Sequence, residues 1–468
     1  MLGINLKQYD QFLTKNLRNK LYLKKNSSRG RAIADSKWKT KRILEKAGVG
    51  VPKLIGRLKT VDDIENFEWN GLEGNFVIKP ESGYGGEGIV IVRKKIEGNE
   101  LKWHKMDGSM ILEEDMKMHC GDILAGRYSL HGMPDKVLIE ERIKIHPKFL
   151  TLTRAGTPDI RVIIYNSVPI MAMIRIPTAR SKGKANLQQG AVGLGIDLAT
   201  GITTYGIVGK GEVIEKMKMP KKKKMIKVNG IKIPFWKEVL ETTITCQKTM
   251  KGLGFMGVDV VLDKEKGPMV LELNARPGLS IQICNKAGLK SRMDKIDDVN
   301  VRSTDHGMSL AKYLFGEGFF EKVSEKEKVS TVEPLEVIRI KIGKGKKNYR
   351  EVRAKIDTGA FRSSIDRKLA EELGLLNENR ILYYRHYRSA LGKNVDRPVV
   401  GVTFWLKDKK VTTAVNVADR KKLRTKFLLG RKDLDGFLVS AKRTIVPKVK
   451  TKLKKVREIE ELIVRKKI

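Results

Sequence analysis

The chain has 468 residues, 41% of them hydrophobic and 6% aromatic, and carries a formal net charge of +41. That length holds two or three domains with real cores. No apolar run approaches the roughly eighteen residues that cross a bilayer, and Met1 to Lys20 is polar and basic without the apolar centre of a signal peptide, so a cytoplasmic protein without a membrane span is expected.

The charge favours acidic partners, whether nucleic acid, an anionic surface or a polyanionic substrate, or else reflects a host whose proteins are generally basic. The shortage of aromatic residues argues against a single-strand nucleic-acid binder. Cys120, Cys246 and Cys284 stand apart from one another and form no CxxC, which excludes a disulfide framework and a cysteine zinc site. The histidines, among them His104, His119 and His386, are isolated and read as structural or surface residues.

In chain order, residues 1–34 are basic and helix-permissive, with a loop at Asn26 to Gly30. Asp35 and Ser36 start an amphipathic helix, KWKTKRILEKAG, that ends at Gly48. A short helix follows over Asp62 to Phe67. Two strands, Asn75 to Ile78 and Ile89 to Val92, flank a loop rich in glycine that includes Ser82, Gly85 and Gly86. Such a loop lets backbone amides approach phosphate oxygens, with Lys79 supplying a point charge; the alternative is a flexible hairpin without a ligand. Lys136 to Ile143 is a strand, and Ile160 to Tyr165 pairs with Ile170 to Ile176; Asp159, Arg161 and Arg175 lie on or beside these strands with charges that a buried sheet would not tolerate unpaired. A second loop containing glycine, Asn186 to Gly195, follows Lys182 and Lys184. The run KMKMPKKKKMIK over Lys216 to Lys227 reads as a solvated loop, and Trp236 to Met250 as a helix.

That helix leads into Phe255 to Leu262 and Pro268 to Leu273, two strands joined by a tight charged turn. A turn near Glu265 and Lys266 sets Asp259 roughly opposite Glu272, and strand alternation puts Asn274 on the face of Glu272. Two carboxylates and an amide oxygen suit a hard cation such as Mg²⁺. The alternative is a surface hairpin carrying ordinary charges. Leu310 to Phe315 is a helix that closes the first domain, and 316–334 a charged linker. Beyond it lie short β segments, Leu335 to Ile342, Arg350 to Ile356, Val399 to Leu406 and Val411 to Val417, with one helix over Asp366 to Gly374. The end, 448–468, is a basic tail.

Taken together, ADSKWKTKRILEKAGVGVP, FVIKPESGYGGEGIVIV, DKVLIEERI, PDIRVIIY, KANLQQGAVGLGIDLATG and GVDVVLD with LELNARPGLSIQ make residues 1–315 resemble an α+β ATP-grasp ligase of the RimK-related, α-L-glutamate ligase-like branch. The resemblance implies ATP and Mg²⁺ (or Mn²⁺) as cofactors, an amino acid and a carboxylate-bearing peptide or protein as substrates, and an amide formed through an acyl phosphate. It places Lys37, Lys79, Ser82, Gly85, Gly86, Lys184 and Asn186 at the nucleotide. It also assigns Glu140, Glu141 and Ile143 to the adenine hinge, and Asp159 to the nucleotide side. Asp259, Glu272 and Asn274 become the metal ligands, with Arg175 and Arg276 beside the transferred phosphate or acyl group. The region before the grasp fold is much shorter than in RimK itself, where amino-acid specificity resides.

In the second domain, 335–447, VRAKIDTGAFRSSI and FLLGRKDLDGFLV are similar to the mostly-β half-barrel of a retropepsin-like acid protease, and closer still to the RimB-like "ATP-dependent zinc protease" family. The resemblance implies Asp357 as the catalytic carboxylate. One DTG per chain implies a homodimer for activity, since the chemistry needs two carboxylates sharing a proton. No zinc-binding constellation accompanies it.

Overall fold

The computed structural model describes residues 11–440 apart from 84, 130–131, 154–155, 210, 220–223, 317–329, 344–347, 378–379, 389–393, 422 and 435–436. Most of the linker expected over 316–334 and the whole tail expected over 448–468 lie outside the described residues. The chain divides into two units, Met1–Ala311 and Lys312–Ile468.

In the first unit, the segment expected to be a loop at 26–30 starts a helix instead. Ser27 caps α1 (Ser28–Ala34) by accepting from the Gly30 amide. The cause is long-range. Asn26 is buried, and its side chain donates to the carbonyls of Phe255 and Ala275 (2.7 and 3.0 Å) while accepting from the Phe255 amide at 2.9 Å. α2 (Lys37–Lys46) is capped by Ser36, whose hydroxyl accepts from Lys39 and also donates to the buried Glu81 carboxylate at 2.5 Å.

Six strands make the first sheet: β1 (Leu54–Leu58), β2 (Phe76–Pro80), β3 (Val90–Ile96), β4 (Lys102–Lys105), β5 (Met110–Leu112) and β6 (Val137–Glu141), in the order β1-β6-β2-β3-β4-β5. Phe76, Ile78 and Trp103 pack with Met116, Cys120 and Ile123 of α3 (Glu113–Leu124) to form its core.

The second sheet has seven strands: β7 (Asp159–Tyr165), β8 (Val168–Ile176), β9 (Val192–Ile196), β10 (Thr203–Val208), β11 (Glu212–Ile214), β14 (Phe255–Asp263) and β15 (Gly267–Asn274), ordered β11-β10-β9-β8-β7-β14-β15. β7 and β14 are buried along their whole length, which explains their nearly unbroken apolar sequences. Any charge within them needs a partner on a neighbouring strand.

The β14–β15 turn is closed by Asp263, which accepts from the Glu265 and Lys266 amides (2.8 and 2.9 Å), and by Gly267 at φ +76°. Counting from that turn, Val260 faces Val270, a register that continued unbroken would set Asp259 against Leu271. A bulge between Asp259 and Val260 shifts the pairing by one residue, so Asp259 faces Glu272 and Gly257 faces Asn274.

Where a solvated loop was expected, β12 (Lys216–Met219) and β13 (Lys224–Lys227) pair as a separate two-stranded sheet. Met217 gives it a buried side, 8% exposed, while its lysines stay outside. α4 (Trp236–Thr249) lies over the seven-stranded sheet with Val239, Leu240 and Ile244 buried. The helix expected over 310–315 is longer, α5 (Thr304–Phe315).

The second unit is mostly β. β17 (Leu335–Lys341), β18 (Tyr349–Asp357), β23 (Phe427–Gly430), β19 (Ser364–Asp366), β22 (Lys409–Ala418) and β21 (Asn394–Leu406) are neighbours in that order. β21 pairs back onto β17 and closes a barrel, with β20 (Ile381–Arg388) on the other edge of β21. Ile338, Ile340, Ile356, Val402, Phe404 and Phe427 fill it. α6 (Arg367–Glu372) is shorter than the helix expected over 366–374, and the chain turns away at Gly374 with φ +63°.

Candidate functional site

One face of the seven-stranded sheet carries a row of charges. Strand register sets Glu272, Asp259 and Arg161 side by side on β15, β14 and β7, and Asp159 beside Arg175 on β7 and β8. Arg161 holds Asp259 through two parallel bonds, Nε to Oδ1 at 2.7 Å and Nη2 to Oδ2 at 2.5 Å. Arg175 holds Asp159 in the same way, both bonds at 2.6 Å, and donates to Asp259 Oδ2 at 2.8 Å. Paired forks of this kind are the strong form of the charge-assisted hydrogen bond.

Asn274 points Nδ2 at Asp259 and at Glu272, 3.3 Å from each. Three carboxylates thus meet two guanidiniums. Glu272 has the loosest contacts of the set, with Arg161 at 4.0 Å and its side chain 36% exposed. Burial, partly offset by Arg175, pushes the Asp159 carboxyl up to about 6. Burial acts the same way on Asp259, but Arg161 and Arg175 more than reverse it and hold that carboxylate below the usual range.

A second buried charge cluster lies on the first sheet. The Glu140 carboxylate pairs with Lys79 at 2.7 Å on one oxygen and with Lys41 on the other. Burial would raise Glu140, yet the two lysines more than compensate and lower it. Burial and the Lys79 charge lower Lys41 strongly against the pull of Glu140. Lys37 sits one turn before Lys41 on α2, and its Nζ donates to the Glu81 and Gly83 carbonyls at 3.2 and 3.1 Å. Burial lowers Lys37, and among the charges opposing that shift the strongest is Glu272. α2 packs against β15, so its Lys37 and Lys41 lie between the first sheet and the acidic hairpin of the second.

The loop at 82–88 enters the same neighbourhood. Its Ser82 amide donates to both oxygens of Asp135 (3.1 and 2.9 Å), and Gly85 and Gly86 have φ of +66° and +78°, a region that costs a side chain energy but suits glycine. Lys184 pairs with Glu87 of this loop. A Cβ placed on Gly86 would lie 3.7 Å from Lys184 Cδ, so the two glycine-containing loops meet. Asn186 turns inward on its own loop and accepts from the Gln188 amide at 3.0 Å.

Glu140 was assigned to an adenine hinge, but its backbone pairs inside the sheet, opposite Leu54 and Val77, and its side chain is committed to the lysines. Glu141 ends the strand; its amide donates to the Lys53 carbonyl at 2.9 Å and its carboxylate takes Lys266 at 2.9 Å. Ile143 follows in irregular chain. A cavity of about 500 Å³ is lined by Lys53, Leu54, Ile55 and Glu141. Arg276 sits at the surface and pairs with Asp35 at 3.1 Å.

In the second unit, Asp357 ends β18 alongside Gly430 of the parallel strand β23. Its Oδ1 accepts from the Gly359 and Ala360 amides at 3.0 and 3.1 Å. Arg431 donates its amide to the Ala360 carbonyl at 2.8 Å, and the Gly430 amide donates to Ser363 Oγ at 3.1 Å. A Cβ on Gly430 would come within 2.5 Å of the Arg362 backbone, so this strand can brace the Asp-Thr-Gly turn only with glycine there.

Three residues of these clusters were not singled out from the sequence: Lys41, Glu81 and Asp135. Lys41 had a signal, since it lies four residues after Lys37 on one helix face. Arg161 is the charge expected to need a partner on its apolar strand, and Asp259 is that partner.

Among the described residues no group of three or more His, Cys, Asp or Glu side chains is placed to hold a metal. The converging set is two carboxylates and an amide, oxygen donors that fit a hard cation once a half-turn of the Asn274 amide presents its oxygen.

Residues 16–298 match the family model described as sugar-transfer associated ATP-grasp. No curated protein matches the chain. Among solved structures, it is similar to the ATP-grasp ligase PsnB complexed with a minimal precursor, at 14% identity over 58% of this chain and 61% of that one, with a TM-score of 0.31. It is similar to D-alanine-D-alanine ligase from Bacillus anthracis complexed with ATP, at 15% identity over 65% and 70%, with a TM-score of 0.29. Over a shorter stretch it is similar to the protease of simian foamy virus, at 19% identity over 21% and 90%, with a TM-score of 0.16. The chain spans about three fifths of the length of the PsnB chain it matches, 61%.

Proposed function

The chain belongs to the sugar-transfer associated ATP-grasp family, and from that premise we propose that its first unit is an ATP- and Mg²⁺-dependent ligase that joins a carboxylate to an amine. The observation that carries this reading is the packing of α2, which bears Lys37 and Lys41 of the buried lysine cluster, against β15, which bears Glu272 and Asn274 of the carboxylate-arginine cluster. Lys37, Lys79 and Lys184, with the amides around Ser82, Gly85 and Gly86, bind phosphate oxygens. Glu140 fixes the direction of Lys79. The backbone of Glu141 to Ile143 faces the adenine edge.

Asp259, Glu272 and Asn274 would hold Mg²⁺, or Mn²⁺ in its place, which when bound draws charge from the β- and γ-phosphates. Arg161 and Arg175 keep Asp259 ionised and aimed. A substrate carboxylate oxygen attacks the γ-phosphorus, the bond to the bridging oxygen breaks, and ADP leaves with an acyl phosphate formed. The amine nitrogen then attacks the acyl carbon, the carbon–oxygen bond to phosphate breaks, and the nitrogen gives up a proton. Arg175 and Arg276 supply fixed positive charge beside those steps, with Asp159 setting the direction of Arg175.

The finer reading is a RimK-related, α-L-glutamate ligase-like enzyme that adds an acidic amino acid to a peptide or protein end. A net charge of +41 suits an acidic chain. The second unit reads as a retropepsin-like domain, supported by the braced turn at Asp357, and its single Asp-Thr-Gly motif calls for a pair of chains.

The test is ADP and phosphate release from ATP and Mg²⁺ across a panel of amino acids and acidic peptides. Release that needs both an amine and a carboxylate, and is abolished in Glu272→Ala, is the expected result. ATP binding without turnover for any pair would overturn it. Affinity for acidic peptides that stays constant up to about 0.5 M salt would overturn the electrostatic part alone.

A further inference from the structure

We propose that His119 and Tyr128 are positioning residues that latch the far end of the glycine loop, so that the loop's grip on a phosphorylated nucleotide depends on them; this rests on assigning the loop to nucleotide binding. His119 projects from α3, and its Nε2 lies 2.9 Å from the Gly88 carbonyl oxygen. A carbonyl only accepts, so Nε2 carries a proton, with Nδ1 on the other side of the ring. The Tyr128 hydroxyl lies 3.5 Å from that Nδ1, and the two rings pack with centroids 5.3 Å apart. Gly88 has φ +69°, and a Cβ there would fall 2.6 Å from the Tyr128 ring. The chain presses onto the tyrosine as only glycine permits.

The near end of the loop is fixed separately. Asp135 accepts from the Ser82 amide, Lys37 donates to the Gly83 carbonyl, and a Cβ on Gly83 would lie 2.1 Å from the Pro80 ring. Between the two anchors lie Gly85, Gly86 and Glu87, the last held by Lys184 of the opposing loop. A strap pinned at both ends samples fewer conformations, so less entropy is lost when its amides settle on phosphate oxygens. With the His119 anchor removed, the amides remain but must be ordered anew at each binding event.

The experiment is calorimetric titration of the full chain with Mg²⁺ plus ADP, and separately with adenosine, for wild type and four variants. His119→Ala should weaken ADP about tenfold, because one anchoring hydrogen bond is worth about that much, and Tyr128→Ala should weaken it through the lost ring packing; both should leave adenosine unchanged. His119→Gln, whose amide N–H reaches the same carbonyl, should restore most of the loss. Tyr128→Phe should stay near wild type, since the ring carries the packing. Equal weakening of ADP and adenosine, or no rescue by His119→Gln, would mean general damage and overturn the latch. Unchanged ADP binding in His119→Ala overturns the latch while sparing the nucleotide assignment. A wild-type chain that binds adenosine but gains nothing from the phosphates of ADP overturns that assignment and the latch with it.

Discussion

The first unit holds two buried charge clusters built on opposite plans. At Lys41, Glu140 and Lys79, two ammonium groups share one carboxylate. At Asp159, Arg175, Asp259, Arg161 and Glu272, three carboxylates share two guanidiniums. With every group ionised the first has one positive charge in excess, against which burial of Lys41 works, and the second one negative. Neither composition minimises the cost of burying ions, which full neutralisation would do better. The surplus positive charge suits phosphate, and the surplus negative charge suits a cation. The difference in residue type follows the same logic. Lysine is a compact point charge for phosphate oxygens, whereas arginine forks lock a carboxylate in one orientation.

The sharpest way to break the contrast is to remove the shared carboxylate. Glu140→Leu leaves two buried lysines without a counter-charge and should cost about 3–5 kcal/mol of stability in urea unfolding. Asp259→Asn should behave differently. Arg175 keeps Asp159, so the fold should survive with a smaller loss, while turnover falls about 100-fold or more if the proposed metal ligand and its aim are lost together.

Acid distinguishes the clusters by sign. Glu140 is lowered in the folded state, so its stabilising contribution is complete above the unfolded pKa and is lost as pH falls through the folded one. Asp159 is raised from 3.8 to about 6, so its contribution is complete below about pH 4 and is lost as pH rises through 6. Stability against pH should therefore lose its decline between pH 4 and 6 in Asp159→Asn, and part of its acid decline in Glu140→Gln. The smallest effect should come from Arg276→Ala. Its pair with Asp35 is half exposed, so thermal unfolding should show a change of at most about 1 kcal/mol, with any larger consequence confined to turnover.

Much of this was legible in the sequence for identifiable reasons. Asp259 and Glu272 stand out as acids in apolar strands, and a tight turn fixes their approximate pairing. The bulge that completes the pairing was not legible, since nothing local marks Leu271 as the extra residue. The helix start at Ser27 was hidden because its reason is the contact of Asn26 with a strand more than two hundred residues away. Strands β4 and β5, Lys102–Lys105 and Met110–Leu112, are too short to show a period. Glu140 was placed at a hinge by its position in the motif. Its side chain answers to Lys41, which only the packing of α2 against the sheet brings near.

The central claim is an acyl phosphate made from the substrate carboxylate, and oxygen-18 tests it most directly. A substrate labelled in its carboxylate oxygens, turned over with ATP and the amine found in the panel, should release phosphate carrying one labelled oxygen. Product formed with ADP release but unlabelled phosphate would contradict the account.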